Sequence, residues 1–394
     1  MKKLFLFAVA AVALTAACSK QPVQSGSASS PSGFELEADV PVRFASNVGR
    51  VVTKGIGALD DWNPSQELYF FGIERLKDQT GSDSLNLAAP FIYNVSANPE
   101  DTITLYNPTI GAGHEEPYYY GDGNYEFYGY FLDDAGTVGL DGESITRTDD
   151  AYVAHIEIDG TQDVLVGYAD RDTVVNRKGR KTPPVTVNKD RLFSAYAIRK
   201  WDAKPDMIFR HKLSRFDFQI RSGEPAAANK VKVTGIGVVS NTKADVVVAG
   251  NSIYQDLYNI STPDTLTLQV KVEDAAAAAG YHLDTLKNIT GGGILAPDYG
   301  GLDKDIDGSI LAIPFDAKYA LKLDLEQPGA VVPVTKTQWL NIDFSTLASG
   351  ERYAKPGYKY KVTLVVYETK PVEIVLSLAP WEEGDSFVLD PDAE

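Results

Sequence analysis

Leu36-Glu37-Ala38-Asp39-Val40-Pro41-Val42-Arg43-Phe44-Ala45-Ser46-Asn47-Val48 sets an apolar residue at nearly every second position. That is the period of a half-buried β-strand, whose successive side chains point to opposite faces. Leu36, Ala38, Val40, Val42, Phe44 and Val48 make one face, and Glu37, Asp39, Pro41, Arg43, Ala45 and Asn47 the other. Pro41 has no amide hydrogen to give a ladder, so this strand belongs at a sheet edge or is inserted late. The pattern continues as short runs broken by turn residues. In the first half these are Leu68 to Ile73, Thr102 to Tyr106, Tyr125 to Leu132, Tyr152 to Ile158 and Asp163 to Tyr168. In the second they are Phe209 to Ile220, Lys230 to Val239, Ala244 to Val248, Thr265 to Val272, Ile310 to Phe315, Leu321 to Leu325, Tyr358 to Tyr367 and Val372 to Leu378. Asp274 to Ala279, stopped by Gly280, reads as a short Ala-rich helix. The fold expected is all-β, with two sandwiches in tandem.

Upstream of the first strand lies a different grammar. Lys2 and Lys3 precede the apolar run Leu4 to Ala13, which is too short to span a bilayer as a folded helix. Leu14-Thr15-Ala16-Ala17 then leads into Cys18, the one cysteine of the chain. This is the pattern of a bacterial lipoprotein signal, cleaved before Cys18 so that its sulfur carries lipid. Each buried acyl methylene contributes about 0.8 kcal/mol, so several chains would tether the protein to a membrane without spanning it. Ser19 to Gly33, rich in Ser, Gly, Pro and Gln, reads as a flexible tether. The expected layout is therefore signal peptide 1–17, tether 18–33, amphipathic strand 34–50, one sandwich over 51–204 and a second over 205–394.

Composition narrows the function. The chain has 394 residues and a formal net charge of −17, and removal of Lys2 and Lys3 takes it to −19. Such an acidic protein is a poor partner for nucleic acid or anionic lipid. Against that background, Arg171 to Lys204 holds ten Lys/Arg and three Asp, a local charge of +7 that fits a solvated linker between the sandwiches. His114, His155, His211 and His282 are scattered without metal-ligand spacing, and Pro117 breaks the one zincin-like start at His114-Glu115-Glu116. No nucleophile elbow or phosphate-binding loop is present, and the chain reads as a non-enzyme.

One stretch has the form of a calcium loop. Asp303-Lys304-Asp305-Ile306-Asp307-Gly308 alternates carboxylates and ends on glycine, but Pro314 occupies the twelfth position, where an EF-hand needs Glu. Calcium at Asp303, Asp305 and Asp307 would need a remote ligand, and a plain acidic, solvated hairpin is the favoured reading. Tyr118-Tyr119-Tyr120 with Tyr125, Phe127, Tyr128, Tyr130 and Phe131 supplies rings that could stack on sugars, or a strand buried on one face.

Several segments, taken in order, resemble the fimbrillins of Bacteroidetes-type (type V) pili. Tyr125-Glu126-Phe127-Tyr128-Gly129-Tyr130-Phe131 is similar to their aromatic strand. Phe209-Arg210-His211-Lys212-Leu213-Ser214-Arg215-Phe216 resembles the F-x-H-x-L-[AS]-[KR] strand that opens their second domain. Pro356-Gly357-Tyr358-Lys359-Tyr360 with Lys361 to Val366 resembles P-G-x-x-Y-x-Y-x-V-x-L, and Ile374 to Leu378 with Trp381 resembles the closing strand. The resemblance implies two transthyretin-like β-sandwiches and an outer-membrane lipoprotein precursor that reaches the cell surface in a fimbrium. It implies an arginine-specific surface protease that removes the lipidated segment with its first strand. A strand from another pilus subunit then fills the groove.

Here the cleavage site implied is Arg50, with Arg43 and Lys54 as rivals, and Leu36, Val40, Val42 and Phe44 fill the groove. Pro371 to Leu378 and Ser386 to Leu389 are the candidate donor strands. The competing function is a monomeric, lipidated glycan-binding protein of the surface. Replacing Cys18 with Ala is expected to abolish acyl labelling and release the precursor from the membrane fraction. Unchanged retention with labelling intact would overturn the lipoprotein reading.

Overall fold

The computed structural model describes residues 40–41, 67–77, 83–87, 91–96, 104–106, 118–119, 123–133, 145–169, 175–176, 193–195, 203–205, 207–274, 276–277, 281–327 and 334–379. These are built almost wholly from strands, in several mainly antiparallel sheets. The all-β expectation is borne out. One sheet has the path Met207–His211, Leu165–Ala169, Asn124–Phe131, Glu67–Lys77, Phe91–Ser96, Thr104–Tyr106. A second has the path Val334–Asp343, Lys318–Gln327, Lys232–Gly250, Ala151–Glu157, Ile145–Arg147. A four-stranded sheet has the order Lys304–Ala312, Ser214–Ser222, Lys359–Val366, Glu373–Ala379.

The four-stranded sheet packs on the second through alternating residues. Ser214–Ser222 buries Phe216, Phe218 and Ile220 and leaves Arg221 exposed. Its parallel neighbour Lys359–Val366 aligns Tyr360, Val362 and Leu364 with those three residues. Phe216 meets Tyr319 edge-on at 5.1 Å, and Phe344 meets Tyr360 edge-on at 4.8 Å. Full burial of each such ring stabilises by about 1.5–3 kcal/mol before entropy is counted. The phenols keep partners inside the core: Tyr319 donates to the Ile313 carbonyl at 2.7 Å, and Tyr360 accepts from the Lys355 amide at 3.0 Å. Burial pushes the Tyr360 hydroxyl up to about 12.

The first sheet is covered on both faces. Phe71 stacks on Tyr152 at 4.9 Å across the layers. On the reverse face, Phe70 meets Phe209 edge-on at 6.1 Å, and Phe127 meets Phe193 at 5.8 Å. Tyr125, Phe127, Tyr128, Tyr130 and Phe131 are all buried, so the strand is covered on both faces where burial of one was expected, and none of these rings is free to stack on a sugar.

Several expected boundaries moved. Phe209 to Ile220 is two strands, because the chain leaves one sheet at His211 and enters another at Ser214. Lys230 to Val239 and Ala244 to Val248 are parts of one 19-residue strand, Lys232–Gly250. The Ala-rich helix is absent among the described residues. There Asp274 accepts from the Ala276 amide at 2.9 Å and its carbonyl from the Ala277 amide at 3.1 Å, which closes a turn of the hairpin Gln269–Glu273/Tyr281–Thr285. Two ladders cross the 204/205 boundary: Met207–His211 joins the first sheet, and Ala151–Glu157 joins the second.

Two glycines explain the fit of the first sheet. Gly129 and Gly167 are cross-strand partners, and Phe209 pairs with Gly167 on the other side. A Cβ at either glycine would stand 2.8 Å from the Phe209 ring. Overpacking of this kind typically costs about 1–3 kcal/mol. Gly129→Val is expected to lower stability by at least that amount in denaturant titration. Pairing it with Phe209→Leu should recover part of the loss, and no recovery would count against the ring as the cause.

Candidate assembly surface

The candidate surface begins where the N-terminal strand meets the fold. Val40–Pro41 pairs antiparallel with Tyr118–Tyr119, with Val40 opposite Tyr119 and Pro41 opposite Tyr118. This ladder is two residues long and belongs to neither large sheet. A missing amide at Pro41 suits such an edge pairing. Leu36, Val42 and Phe44, the lipidation residue Cys18 and the cleavage candidates Arg43, Arg50 and Lys54 lie outside the described residues. Most of the basic segment 171–204 does too, but its ends are joined: Val175 pairs with Lys204 and Asn176 with Ala203.

The second component is an open sheet edge. Glu373–Ala379 pairs with Lys359–Val366 and, among the described residues, with no strand on its other side. Its Leu376 is buried, while Val375 is 47% exposed. An edge strand presents unpaired amides and carbonyls on which another chain can build. Most of the donor candidate Pro371 to Leu378 is thus taken up by its own sheet, and the other, Ser386 to Leu389, lies outside the described residues.

The two best family-like motifs meet at the crossing between the sheets. The Lys212 amide donates to the Val164 carbonyl at 2.8 Å, and the Gly357 amide donates to the Leu213 carbonyl at 2.9 Å. Ser214 Oγ donates to the Lys355 carbonyl at 2.7 Å. Gly357 sits at φ 73°, a conformation an L side chain adopts only at a cost. His211 Nδ1 lies 2.9 Å from a carboxylate oxygen of Asp163, with both side chains buried. Lys212 Nζ donates to the Gln255 carbonyl at 3.1 Å, and burial holds its ammonium below the usual lysine range. These residues serve the architecture, with their polar atoms turned to neighbouring chain.

The acidic stretch is placed on a strand and its mouth. Asp303 accepts two hydrogen bonds from the Arg221 guanidinium, each 2.7 Å, and another from Gln219 Nε2 at 2.9 Å. The Arg221 hydrogen bond holds the Asp303 carboxyl below its ordinary value. Asp305 lies 3.2 Å from Lys361 Nζ. Asp307 is exposed on the outward side of the same strand. Gly308, at φ 89°, presses against the Gln269 carbonyl. Among the described residues no group of three His, Cys, Asp or Glu side chains could hold a metal ion. No described helix is long and apolar enough to cross a membrane.

No protein-family model matches the sequence, and no curated protein matches it either. Solved structures similar to this chain include proteins of Bacteroides, Parabacteroides and Porphyromonas. One is a candidate cell adhesion protein of Bacteroides uniformis, at 13% identity and a TM-score of 0.46, covering 88% of this chain and 100% of that one. Another is the fimbrial anchor protein Mfa2 of Porphyromonas gingivalis, at 10% identity and 0.31, covering 81% and 90%. A third is the tip fimbrial protein Mfa3 of the same organism, at 8% identity and 0.33, covering 80% and 94%.

Since Asp303 and Asp305 already face cationic side chains, millimolar calcium is expected to leave the melting temperature where chelator leaves it. A ligand selective for the folded state must raise it. A rise that vanishes in Asp305→Asn would establish an ion at this strand.

Proposed function

We propose that this chain is the precursor of a fimbrial subunit that assembles by donor-strand exchange and contributes to adhesion. In this reading lipid on Cys18 anchors the precursor in the outer membrane, an arginine-specific surface protease cuts after Arg50, and a strand of another subunit replaces residues 34–50. The observation that carries the proposal is the slender attachment of the N-terminal strand: in the described residues Val40–Pro41 is held by a two-residue ladder at Tyr118–Tyr119. A strand that belongs to neither large sheet can leave without dismantling either. The four sequence motifs support the reading as well. Those within the described residues form the aromatic centre of the first sheet and the parallel pair at the heart of the four-stranded sheet. The same proposal keeps two sandwiches as the functional division of the chain, with 171–204 as their basic linker.

Leu36, Val40, Val42 and Phe44 would together contribute very roughly 1.5–3 kcal/mol each to the uncut precursor. Once cut, that strand is a separate peptide and competes with a neighbour's strand held at high effective concentration. Limited digestion with an arginine-specific protease is expected to convert monomers into linear polymers visible by electron microscopy, and Arg50→Ala to resist. If the variant polymerises like wild type, Arg43 or Lys54 is the site. Trimmed wild-type protein that stays monomeric when concentrated would rule out self-assembly by this route.

A further inference from the structure

The strand Val334–Asp343 closes one side of the second sheet and shows solvent a face unlike the rest of the molecule. Gln338 and Ile342 are buried beneath it, so Thr335, Thr337, Trp339 and Asn341 share the outward side. Trp339 keeps 59% of its surface exposed. Among the described residues no ring or cation lies against its indole. Its cross-strand partner is Lys322, and next to that pair Asp324 lies opposite Thr337, and Ala320 opposite Asn341. Thr337 Oγ1 donates to Asp324 Oδ1 at 2.5 Å, and Lys322 Nζ stands 3.5 Å from Asp324 Oδ2.

Gly235 pairs with Asp324 on the neighbouring strand. A Cβ at Gly235 would stand 2.9 Å from Asp324 Oδ2, and one at Gly237 would stand 2.7 Å from Thr265 Cγ2 and 3.7 Å from Lys322 Cβ. Asp324 and Thr265 thus fill the space above the two glycines, so the open ground beside the indole is the row of Ala320, Lys322, Asp324, Thr337 and Asn341.

We infer that this face is a binding platform for a neutral oligosaccharide, with Trp339 as its stacking residue. A pyranose ring presents an apolar C–H face and a rim of hydroxyls. The indole suits the first, being apolar in body and exposed in place. Lys322, Asp324, Thr337 and Asn341 suit the second, because they supply donors and acceptors in one row. One ammonium beside one carboxylate favours a ligand without net charge. A protein partner fits less well. Stable protein interfaces bury about 1,200–2,000 Å² around an apolar core, whereas this indole is ringed by polar side chains. The platform needs no polymerisation, so it stands or falls independently of the pilus reading.

The test uses the uncut monomer. Chitotetraose, cellotetraose, maltotetraose and mannotetraose are titrated to millimolar concentration, followed by calorimetry and by indole fluorescence. At least one is expected to bind. Trp339→Ala should weaken it about tenfold or more, as truncation of a stacking Trp commonly does, and Trp339→Phe should retain part of the affinity. Both variants should melt like wild type, because the side chain is exposed. Wild-type protein that binds none of the four, or a Trp339→Ala variant that binds as tightly as wild type, would overturn the platform.

Discussion

The ladder along Lys232–Gly250 is the constraint from which the remaining architecture follows. Its first residues pair with Lys318–Gln327 and its last with Ala151–Glu157, while Tyr258–Thr267 takes its other side. Val246 and Val248 are wholly buried, and so are Val233 and Val238 at the far end. One strand therefore lines the core along its whole length. A one-residue slip would turn every one of these side chains to the wrong face. Because its register is shared, an error at its pairing with Lys318–Gln327 would also disturb its pairing with Ala151–Glu157.

Around that strand the molecule handles its many aromatic residues by enclosure. Phe70, Phe209 and Phe193 cover the reverse of the sheet whose front carries Phe71 and Tyr130. Gly129 and Gly167 exist in the same strands because a ring must lie directly over the backbone there. The Tyr130 hydroxyl is buried with no hydrogen-bond partner. The desolvation that follows drives its pKa far upward, so the phenol stays neutral throughout the accessible pH range. Trp339 is the opposite case, a large ring left uncovered on a sheet whose inner face is fully packed.

Period-two alternation made the strands legible where one face is apolar, as in Tyr125 to Leu132 and Leu321 to Leu325. It failed at Val334–Asp343, where Lys336 shares the side of buried Gln338 and Ile342 but is exposed and Gln338 is polar, so the alternation that marks a half-buried strand is diluted. Gln338 is tolerated there because its Oε1 accepts from the Val372 amide at 3.0 Å. Ser240-Asn241-Thr242-Lys243 read as a break between two strands. In the structure those polar residues stay in the ladder, and Thr242 Oγ1 donates to the Thr262 carbonyl at 2.8 Å. The crossing at Lys212-Leu213 did leave a local mark: Phe209 and Leu213 keep one parity and Phe216, Phe218 and Ile220 the other, so the period-two pattern shifts where the chain changes sheets. Of the candidate site residues, the sequence offered types and spacing for Asp303, Asp305 and Asp307. The cations that face Asp303 and Asp305, Arg221 and Lys361, come from strands far away in the chain and left no local mark.

The parallel pairing of Ser214–Ser222 with Lys359–Val366 bears on the order in which the chain acquires structure. Arg215 lies opposite Lys359 and Ser222 opposite Val366, so each of these contacts closes a loop on the order of 140 residues. Loops of that length pay their closure entropy before any contact rewards them, and folds dominated by such pairings form slowly. Lys304–Ala312 covers one side of Ser214–Ser222, with Ile310 opposite Phe216, but the other side has no neighbour in the sheet until Lys359–Val366 arrives. A chain that emerges from its N-terminus onward must carry that strand edge open until nearly its whole length has been released, which is an interval of aggregation risk that a holding chaperone would shorten.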